Sequence, residues 1–483
     1  MRTALEVPTL PDLLAARAAA ETGGVAMIVH GSGELTFGEW DERSNAVANA
    51  LLARGVGHGD RVGLVFPGAA WMDYAVAFLG VLKAGAVAVP LSDRMPPAEI
   101  GQIASHCSTS LIITDLHELP KGSSEAPGVA LGPGDVAQIL YTSGTTGRAK
   151  GVAATHANLA FGAQRQPRRR AFAHSRHLVH AFPIGTNAGQ MMLFNALNAH
   201  PAVVTLPRFT PGRFAGLIEK YQAGTVFVVP AMAIELLGNR VSYDLSSVLL
   251  LGSAAAPLPS AVATGLTEMF PNATITNYYT STEAAPAQTI MIFDPDRPGS
   301  VGRAAAGGGV RIWSSEREAV PPGEIGEVWM RSPAAPRSYY NDSGSDVFRE
   351  GWIRMGDLGY LDEDGYLYLV DRESDVVKSG AFKVSTLKVE DALHRHPAVI
   401  EAAAYGVPHA VLGTAVAAAV VLRAEVPNVE LRAFLGDLLA QHEIPAEIVR
   451  MDVLPRNHSG KVDKRALRAA SQAGSQAVSG AGS

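Results

Sequence analysis

The sequence predicts an α/β protein: a large N-terminal domain of layered, largely parallel sheets with helices plus a small β region, and a small mobile α+β domain at the C-terminal end. Three observations predict this class. The chain has 483 residues, which is too long for one ordinary core. Short apolar runs rich in β-branched residues alternate with helical stretches over the first half of the chain. Near residue 320 the alternation gives way to short strands separated by turns.

The N-terminal elements are predicted from apolar spacing. Residues 10–21 are rich in Ala and Leu, and Pro11 falls in the first turn, where a helix tolerates proline. Residues 37–54 place Trp40 and Leu51 at helical spacing. The runs that predict buried strands are 61–66, 86–91, 111–114, 202–206, 225–229 and 247–251.

The C-terminal third of the sequence predicts a different pattern of elements from the first half. A turn at 321–323 precedes a predicted strand at 326–331, and a second turn at 362–365 joins two more short strands. Those two strands are predicted at 351–353 and 366–370. The smaller unit that follows has predicted helices at 388–395 and 431–442 and predicted strands at 402–405 and 416–422. We therefore expect an N-terminal domain at 1–372, a C-terminal lid domain at 373–470, and a disordered Ser/Gly/Ala/Gln-rich tail at 471–483.

Composition argues against several classes of protein. The formal net charge of −6 gives no reason to expect nucleic-acid binding. Cys107 is the one cysteine of the chain, so an intrachain disulfide and a thiolate metal cluster are excluded. The N-terminus lacks the order of a signal peptide, and no apolar run approaches the length that spans a bilayer. We expect a cytoplasmic protein with neither membrane nor nucleic-acid partners.

The segment 141–151, YTSGTTGRAKG, predicts a phosphate-binding loop. It follows the apolar run 136–140, so it leaves the end of a strand. Gly144 and Gly147 let the backbone approach a polyphosphate, the hydroxyls add short donors, and Lys150 adds positive charge. The alternative is a polar surface turn, which does not require glycines and hydroxyls at this density before a lysine. The lysine does not directly follow a glycine and has no Ser or Thr behind it, so this is not a Walker loop.

This segment resembles the phosphate loop of the adenylate-forming superfamily, which includes acyl-CoA synthetases, peptide-synthetase adenylation domains and luciferases. Ala149 stands where the family usually has proline. The likeness extends from about residue 10 to 469, because further motifs follow in the family's order. The resemblance implies ATP and Mg²⁺ as ligands, and it assigns phosphate binding to Thr142, Ser143, Gly144, Thr145, Thr146, Gly147 and Lys150.

The segment 277–283, NYYTSTE, resembles the family's Tyr-Gly-x-Thr-Glu motif, with Thr280 in place of glycine. The resemblance implies that Tyr279, beside Tyr278, stacks on adenine, that Thr282 contacts phosphate and that Glu283 holds Mg²⁺. A flat ring suits a base, and a carboxylate suits a hard cation on phosphates. Alone, the segment is equally compatible with an ordinary loop that carries one acid.

Three further motifs complete the resemblance to a nucleotide site. The segment 253–258, SAAAPL, resembles the other wall of the adenine slot, formed by Ala254, Ala255 and Ala256. Asp357 in Met355-Gly356-Asp357 is then the ribose ligand, and Arg372 lies near ribose and phosphate. In 455–464, PRNHSGKVDK, Lys461 is the lysine that steadies charge as a carboxylate attacks the α-phosphate. A helix-entry turn, a surface ion pair and a lysine-rich turn are the respective alternatives.

The segment 182–190, FPIGTNAGQ, stands where the family has its acyl-pocket motif. Gly185 and Thr186 occupy places that often hold a Phe-His pair, so we expect a small and polar pocket floor there, with Asn187 reading a polar substituent. Small side chains predict room for an aryl or branched acid. The predicted pocket residues are Ile184, Gly185, Thr186, Asn187, Gly189, Met232 and Ser253.

The sequence gives less evidence on the second half-reaction, in which the activated acyl group passes to an acceptor. Ser374 stands at the family's hinge, and Ala381, Ser385 and Thr386 depart from the segment that lines the path of the second nucleophile. Ala381 in place of glycine narrows that path by one Cβ. These departures leave the acceptor open.

A cluster of histidines and a cluster of arginines also have to be interpreted. His174, His177 and His180 have a three-residue spacing, but no acidic partner accompanies them, so surface or pocket histidines are favoured over a metal site. The basic cluster of five arginines either binds a CoA phosphate or a carrier protein's acidic face, or is a solvated loop. Its members are Arg165, Arg168, Arg169, Arg170 and Arg176.

The first functional hypothesis is an ATP-dependent acid–CoA ligase that forms acyl-AMP with release of pyrophosphate. The runner-up is an adenylating enzyme with another acceptor, such as a carrier-protein thiol or an amine, or one that activates a different oxyanion such as nitrite. A non-catalytic nucleotide-binding relative is the third class, against which Glu283 and Lys461 argue. The sequence names neither the acid nor the oligomeric state.

Overall fold

The computed structural model describes residues 8–142, 149–164, 166–239, 242–316, 318–457 and 460–471. Of the predicted disordered tail at 471–483, residues 472–483 lie outside these ranges. The prediction is wrong for Ser471, since this residue ends a helical stretch at 464–471 and its hydroxyl is hydrogen-bonded with the Tyr405 hydroxyl at 2.9 Å. Helices and strands alternate through the N-terminal part, and the α/β class is confirmed. The helices are α1 Leu10–Ala20, α2 Phe37–Ala53, α3 Trp71–Lys83, α4 Pro97–His106, α5 His156–Leu159, α6 Asn187–Asn198, α7 Pro211–Tyr221, α8 Pro230–Gly238, α9 Ser260–Met269, α10 Thr386–His394 and α11 Asn428–Gly436.

A six-stranded sheet contains the strand that leads into the predicted phosphate loop. Its strands are β3 Arg61–Phe66, β4 Val87–Ser92, β5 Leu111–Ile113, β6 Val136–Thr142, β7 Lys150–Thr155 and β17 Ser338–Tyr339. Their spatial order is β17-β7-β6-β4-β3-β5, with parallel pairing from β6 to β5 and antiparallel pairing at β6–β7 and β7–β17. The edge strand β17 therefore comes from a distant part of the chain.

A nine-stranded sheet carries the second set of motifs at its strand ends. Its strands are β1 Val25–Val29, β2 Gly33–Thr36, β8 His177–His180, β9 Ala202–Thr205, β10 Thr225–Val228, β11 Leu250–Ala254, β12 Thr274–Tyr279, β13 Thr289–Ile292 and β14 Arg303–Ala304. The order is β14-β13-β12-β11-β10-β8-β9-β1-β2. Because β10, β11 and β12 are parallel, their C-terminal ends bring the residues that follow them to one edge.

Apolar packing and a buried polar network join these two sheets through helices. The indole of Trp40 in α2 is fully buried and donates to the Ala75 carbonyl oxygen of α3 at 2.9 Å. Gln190 of α6 accepts from the hydroxyl of Tyr74 at 2.7 Å and from the side-chain amide of Gln138 at 2.9 Å. Gln138 lies in β6, so this network fixes α6 relative to the strand that precedes the phosphate loop.

Three smaller sheets complete the fold. A five-stranded antiparallel sheet contains β15 Gly309–Trp313, β16 Gly326–Arg331, β18 Phe348–Arg349, β19 Trp352–Leu361 and β20 Leu367–Arg372. A hairpin of β21 Val377–Ser379 and β22 Phe382–Val384 precedes a three-stranded sheet of β23 Val399–His409, β24 Gly413–Leu422 and β25 Glu447–Arg450. Apolar residues of this C-terminal region form their own clusters, while the domain boundary at 372/373 stays a prediction.

Three predicted elements are wrong in extent. The strand predicted at 351–353 is the start of ten-residue β19, which is extended by pairing with both β16 and β20. The run 247–251 begins in a turn, where the Val248 N–H donates to the Leu245 carbonyl, so β11 starts only at Leu250. The helix predicted at 431–442 is α11, which ends at Gly436 because glycine is a poor helix former.

Candidate active site

The two flanks of the predicted phosphate loop lie side by side. Thr142 ends β6 and Lys150 begins β7, and the two residues pair in register. The Thr142 hydroxyl donates to Glu283 Oε1 at 3.3 Å, and the Lys150 ammonium lies 4.6 Å from the centre of the Tyr339 ring. The intervening loop residues lie outside the described ranges, so their phosphate contacts stay predictions. These residues are Ser143, Gly144, Thr145, Thr146 and Gly147.

Glu283 is held by hydroxyl groups from two other elements. Besides Thr142, the phenol of Tyr339 donates to Glu283 Oε1 at 3.2 Å. Burial and the neighbouring Glu283 carboxylate raise the pKa of Tyr339 above its usual value, so this phenol remains a donor at neutral pH. One carboxylate oxygen is thus oriented by two donors, which leaves the other for a cation.

Tyr279, Asp357 and Arg372 form the second group that the structure brings together. The Tyr279 hydroxyl donates to Asp357 Oδ2 at 2.6 Å, and Arg372 Nε lies 3.6 Å from Asp357 Oδ1. Asp357 in β19 and Arg372 in β20 pair in register. Burial raises the pKa of Asp357, and the charge of Arg372 and the Tyr279 hydrogen bond oppose that shift.

The wall of small residues follows β11. Ala255 has φ of 73°, a left-handed backbone conformation that costs an alanine free energy and that is found at functional sites more often than elsewhere. Ser253 is buried, and Tyr278 pairs in register with Ala254 on the neighbouring strand. The three alanines therefore lie beside the strand that ends in Tyr279.

Asn277 is a polar residue to which the sequence motif assigned no role. It is 2% exposed, and its Oδ1 has no hydrogen-bond partner among the described residues. An unpaired buried acceptor costs roughly 1 to 3 kcal/mol. Side chains of a strand alternate between its two faces, so Asn277 and Tyr279 share one face of β12. The unpaired oxygen therefore marks a place for a donor close to Tyr279.

Lys461 reaches this group from the C-terminal region. Solvent has access to its side chain, yet protein surrounds it on most sides, as expected in a cleft. This loss of hydration and the charge of Arg372 lower the pKa of Lys461, and the carboxylates of Asp357 and Glu283 oppose the shift. Lys461 is thus close enough to interact electrostatically with members of both groups described above.

The acyl-pocket segment is more tightly packed than its small residues predicted. A Cβ at Gly185 would lie 2.6 Å from the backbone nitrogen of Ser92, so this glycine packs closely against β4. The room for an aryl or branched acid stays a prediction. A Cβ at Gly189 would likewise lie too close to the Pro183 carbonyl oxygen. The Thr186 hydroxyl donates to Pro183 and accepts from the Gly189 N–H, so it serves as the N-cap of α6 rather than as a free polar floor.

The remaining pocket residues are mostly buried. Ile184 and Met232 are 3% and 7% exposed and belong to the main apolar core. The side-chain oxygen of Asn187 accepts from Arg337 Nη1 at 3.4 Å. The Ser253 hydroxyl is buried without a partner among the described residues. Their assignment to an acid pocket stays a prediction.

Arg337 and Tyr339 are site residues that the sequence analysis missed. Arg337 Nη1 donates to the Thr282 carbonyl oxygen at 2.9 Å, and Nε donates to Asn158 Oδ1, also at 2.9 Å. No motif surrounds these residues, and their partners come from distant segments. A lone arginine in a polar run carries no signal of burial.

The hinge region gives structural reasons for two unusual residues. The Ser385 hydroxyl accepts from the Lys388 N–H and caps α10. Thr386 donates through both its backbone N–H and its hydroxyl to Asp371, and Lys464 donates to the Thr386 hydroxyl at 2.9 Å. Ser374 lies exposed in the turn between β20 and β21. Its role as the hinge stays a prediction.

In the structure, the members of the histidine cluster and of the arginine cluster have different surroundings. His174 and His180 contact the hydroxyls of Thr225 and Thr205 respectively, whereas His177 contacts the Tyr221 carbonyl oxygen. In the basic cluster, Arg170 is buried in an ion pair with Glu21 at 2.7 Å and is therefore not part of a solvated surface. Arg168, Arg169 and Arg176 are exposed, and Arg165 lies outside the described ranges.

The described part of the chain lacks two further features. No group of three or more His, Cys, Asp or Glu side chains in these ranges is arranged to hold a metal ion. Within the same ranges, no helix combines the length and apolarity needed to cross a membrane.

Comparison with known proteins places these motifs in a family. Residues 14–131 and 116–340 match the model of the AMP-binding enzymes, and residues 388–461 match that of the AMP-binding enzyme C-terminal domain. Feruloyl-CoA synthase from Amycolatopsis sp is 31% identical over 470 residues, which cover 91% of this chain and 94% of the relative. The probable CoA ligase CCL9 of Humulus lupulus is 32% identical over 509 residues, covering 95% of each chain.

A solved structure gives the same placement. O-succinylbenzoate coenzyme A synthetase from Bacillus subtilis, in complex with ATP and magnesium ion, superimposes with a TM-score of 0.82. The two proteins are 26% identical, and the match covers 93% of this chain and 98% of the other.

Proposed function

Because the chain belongs to the family of AMP-binding enzymes, we propose that it is an ATP-dependent acid–CoA ligase. In this proposal it activates a carboxylic acid as acyl-AMP, releases pyrophosphate, and transfers the acyl group to CoA. The observation that carries it is that distant segments meet at two carboxylates: Asp357, bound by Tyr279 at 2.6 Å, and Glu283, bound by Thr142 and Tyr339. Lys461 interacts electrostatically with both. A cation that interacts both with the carboxylate assigned to ribose and with the one assigned to Mg²⁺ is suited to stabilise charge on the α-phosphate.

The nucleotide would be held by residues from both large sheets. Tyr279 stacks on the adenine against the alanine wall, and Asn277 Oδ1 accepts from the exocyclic amine, which supplies the missing partner of that buried oxygen. Asp357 binds the ribose hydroxyls, with Arg372 between ribose and phosphate. The phosphates lie against the loop after Thr142, and Lys150 and Thr282 contribute charge and a hydroxyl.

Glu283 fits the role of a magnesium ligand. Mg²⁺ keeps several waters and takes one or two carboxylates together with substrate phosphates, so a single oriented carboxylate beside the phosphate loop is a suitable ligand. When bound, the ion neutralises phosphate charge. Thr142 and Tyr339 would hold the carboxylate in place for it.

The first half-reaction is an in-line displacement. An oxygen of the acid carboxylate attacks the α-phosphorus, the bond to the bridging oxygen of the β-phosphate breaks, and pyrophosphate leaves. Lys461 stabilises the charge that develops on the phosphoryl oxygens and is a better hydrogen-bond donor because its pKa is lowered. The predicted pocket residues from Ile184 to Gly189, with Met232 and Ser253, position the acid.

For the second half-reaction we propose CoA as the acceptor. The relatives named as CoA ligases support this choice. The departures at Ser385 and Thr386, which favoured another acceptor on sequence grounds, have structural uses in capping α10 and binding Asp371. A carrier-protein thiol, an amine, or activation of nitrite remain the competing outcomes of the test.

The experiment measures pyrophosphate release with ATP, Mg²⁺ and a panel of acids: ferulate, benzoate, hexanoate and malonate. We expect release to depend on one class of acid, and mass spectrometry to detect the CoA thioester when CoA is added. Lys461→Ala should lower the rate of release by about 10²- to 10³-fold, since it removes a transition-state contact. The exposed Lys121→Ala is the matched control and should retain full activity.

Two outcomes would contradict the proposal. An absence of acid-dependent release with all four acids would reject the acid–CoA ligase. Release without a thioester would reject CoA and leave the alternative acceptors, which the same mass measurement identifies from products formed with nitrite, amines or a carrier protein.

A further inference from the structure

Arg337 is a buried cation at the junction of two predicted subsites. It is 5% exposed and directly precedes β17, the last strand of the six-stranded sheet. Its Nη1 donates to the Thr282 carbonyl oxygen of the phosphate motif and to Asn187 Oδ1 of the predicted acid pocket. One guanidinium therefore bridges the residues assigned to phosphate and those assigned to the acid.

The contacts of Arg337 leave part of its forked guanidinium group without a hydrogen-bond acceptor. Nε and Nη1 donate to neutral oxygens, and none of the described residues accepts a hydrogen bond from Nη2. Within the described part of the chain, no carboxylate lies at ion-pair distance from the guanidinium. Glu283 raises the pKa of Arg337 through its charge, but the two side chains form no ion pair.

Such a cation costs free energy unless an anion reaches it. Burial lowers the pKa of Arg337 to about 10, so the side chain is still charged at neutral pH. A buried charge without an ion-pair partner is expensive, and a planar fork with a free N–H is suited to a carboxylate. In the proposed reaction, an acid carboxylate must lie between the acid pocket and the α-phosphate.

We propose that Arg337 contacts the substrate, and that its Nη2 donates a hydrogen bond to the carboxylate of the acid before adenylation. This inference rests on the proposed function. The contact places the carboxylate beside Thr282, from where an oxygen attacks the α-phosphorus, and it offsets the repulsion between carboxylate and phosphates. The competing account is that Arg337 only ties Thr282, Asn158 and Asn187 together.

The test separates recognition of the carboxylate from general support of the site. The probes are the best acid of the panel, ATP, and the acylsulfamoyl adenosine made from that acid, which has an acyl group in place of the free carboxylate. Arg337→Lys keeps the charge but loses the fork, and should raise the KM for the acid about 10- to 100-fold. The KM for ATP and the Kd for the sulfamate should change less than about threefold.

Arg17 supplies the matched control. It is also a buried arginine that donates to backbone carbonyl oxygens, those of Leu197 and Ala199, and its pKa is likewise lowered to about 10. Unlike Arg337 it forms an ion pair, with Glu21 at 3.2 Å, and none of these partners belongs to the predicted phosphate or acid subsites. Arg17→Lys should lower the melting temperature without changing the ratio of the two KM values. If Arg337→Lys also left the ratio of the acid KM to the ATP KM unchanged, the proposal would be overturned.

A second variant tests the inference with Arg337 in place. Asn187→Asp puts a carboxylate next to Nη1 and should compete with the substrate for the guanidinium, raising the KM for the acid by a similar factor. An acid at the N-terminus of α6 is favourable for the helix, so the fold should be retained. Parallel changes in acid KM, ATP KM and sulfamate Kd in both variants would mean a structural tie only. Failure of wild type with every acid would instead reject the proposed function.

Discussion

At the scale of single residues, Asp371 links the end of β20 to the C-terminal region. It is 1% exposed and accepts hydrogen bonds from Thr386 and from the Arg372 N–H. Burial raises its pKa to about 6, while Lys464 and the Thr386 donors oppose the shift. The native state therefore binds this proton more tightly than the unfolded chain, whose aspartates titrate near pH 4.

This shift predicts a pH-dependent stability. The Asp371 proton stabilises the fold below about pH 4, and that contribution is lost as the pH rises through about 6. Asp371→Asn removes the titration. In chemical unfolding between pH 4 and pH 7, wild type should lose stability relative to Asp371→Asn, with no further change above pH 7. A constant difference across this range would contradict the pKa of about 6.

The same scale shows what a sequence can predict of a site. Tyr279, Asp357 and Lys461 were found because each lies in a short local motif that resembles a motif of the family. Arg337 was not, because its Asn158 partner lies 179 residues away and only folding brings the two together. Gly185 was predicted to form a small pocket floor, and the sequence does not show that the backbone of Leu91 and Ser92 packs against it.

At the scale of secondary structure, α6 depends on its first residues. Thr186 supplies both the cap and a hydrogen bond to Pro183, and Gly189 permits the close approach of the Pro183 carbonyl oxygen. The start of such a helix can be predicted from its capping residue, whereas the ends of helices and strands are harder to predict. The early stop of α11 at Gly436 and the extension of β19 depend on pairing and propensity that compete over several residues.

The cap gives a prediction for α6. Thr186→Ala should lower the free energy of unfolding by about 1 kcal/mol, the usual value of an N-cap. Because the change also shifts Asn187, the KM for the acid should rise. Thr36→Ala, which removes the cap of α2, should cost a similar amount of stability with no change in that KM. Equal kinetic effects in the two variants would separate α6 from acid binding.

At the scale of the whole molecule, the C-terminal region contacts the N-terminal part through α10 and α9. Asp391 of α10 accepts from the backbone N–H and the hydroxyl of Ser260 at the start of α9. Lys461 and Asp357 interact electrostatically in the same arrangement. Transfer to a thiol requires a different approach to the acyl-phosphate, so we infer a rotation about the turn at Ser374.

A proline at this turn tests the rotation. The Arg372 carbonyl oxygen accepts from the Asp375 N–H at 2.9 Å, and Ser374 lies inside that turn. Ser374→Pro fixes φ and should slow thioester formation at least tenfold, while pyrophosphate release in a single turnover stays within about threefold of wild type. Ser374→Ala is the control for loss of the hydroxyl. Equal losses in both half-reactions would place the hinge elsewhere.

The edge strand β17 has a consequence for protein synthesis. It covers β7 through Ser338 and Tyr339, yet 182 residues of chain lie between the end of β7 and Ser338. At about 5 to 20 residues per second, a ribosome needs roughly 10 to 40 s to add them. Throughout that interval the nascent chain carries β7 as an open edge with its ladder groups unpaired, which is when neighbouring nascent chains on a polysome can pair with it.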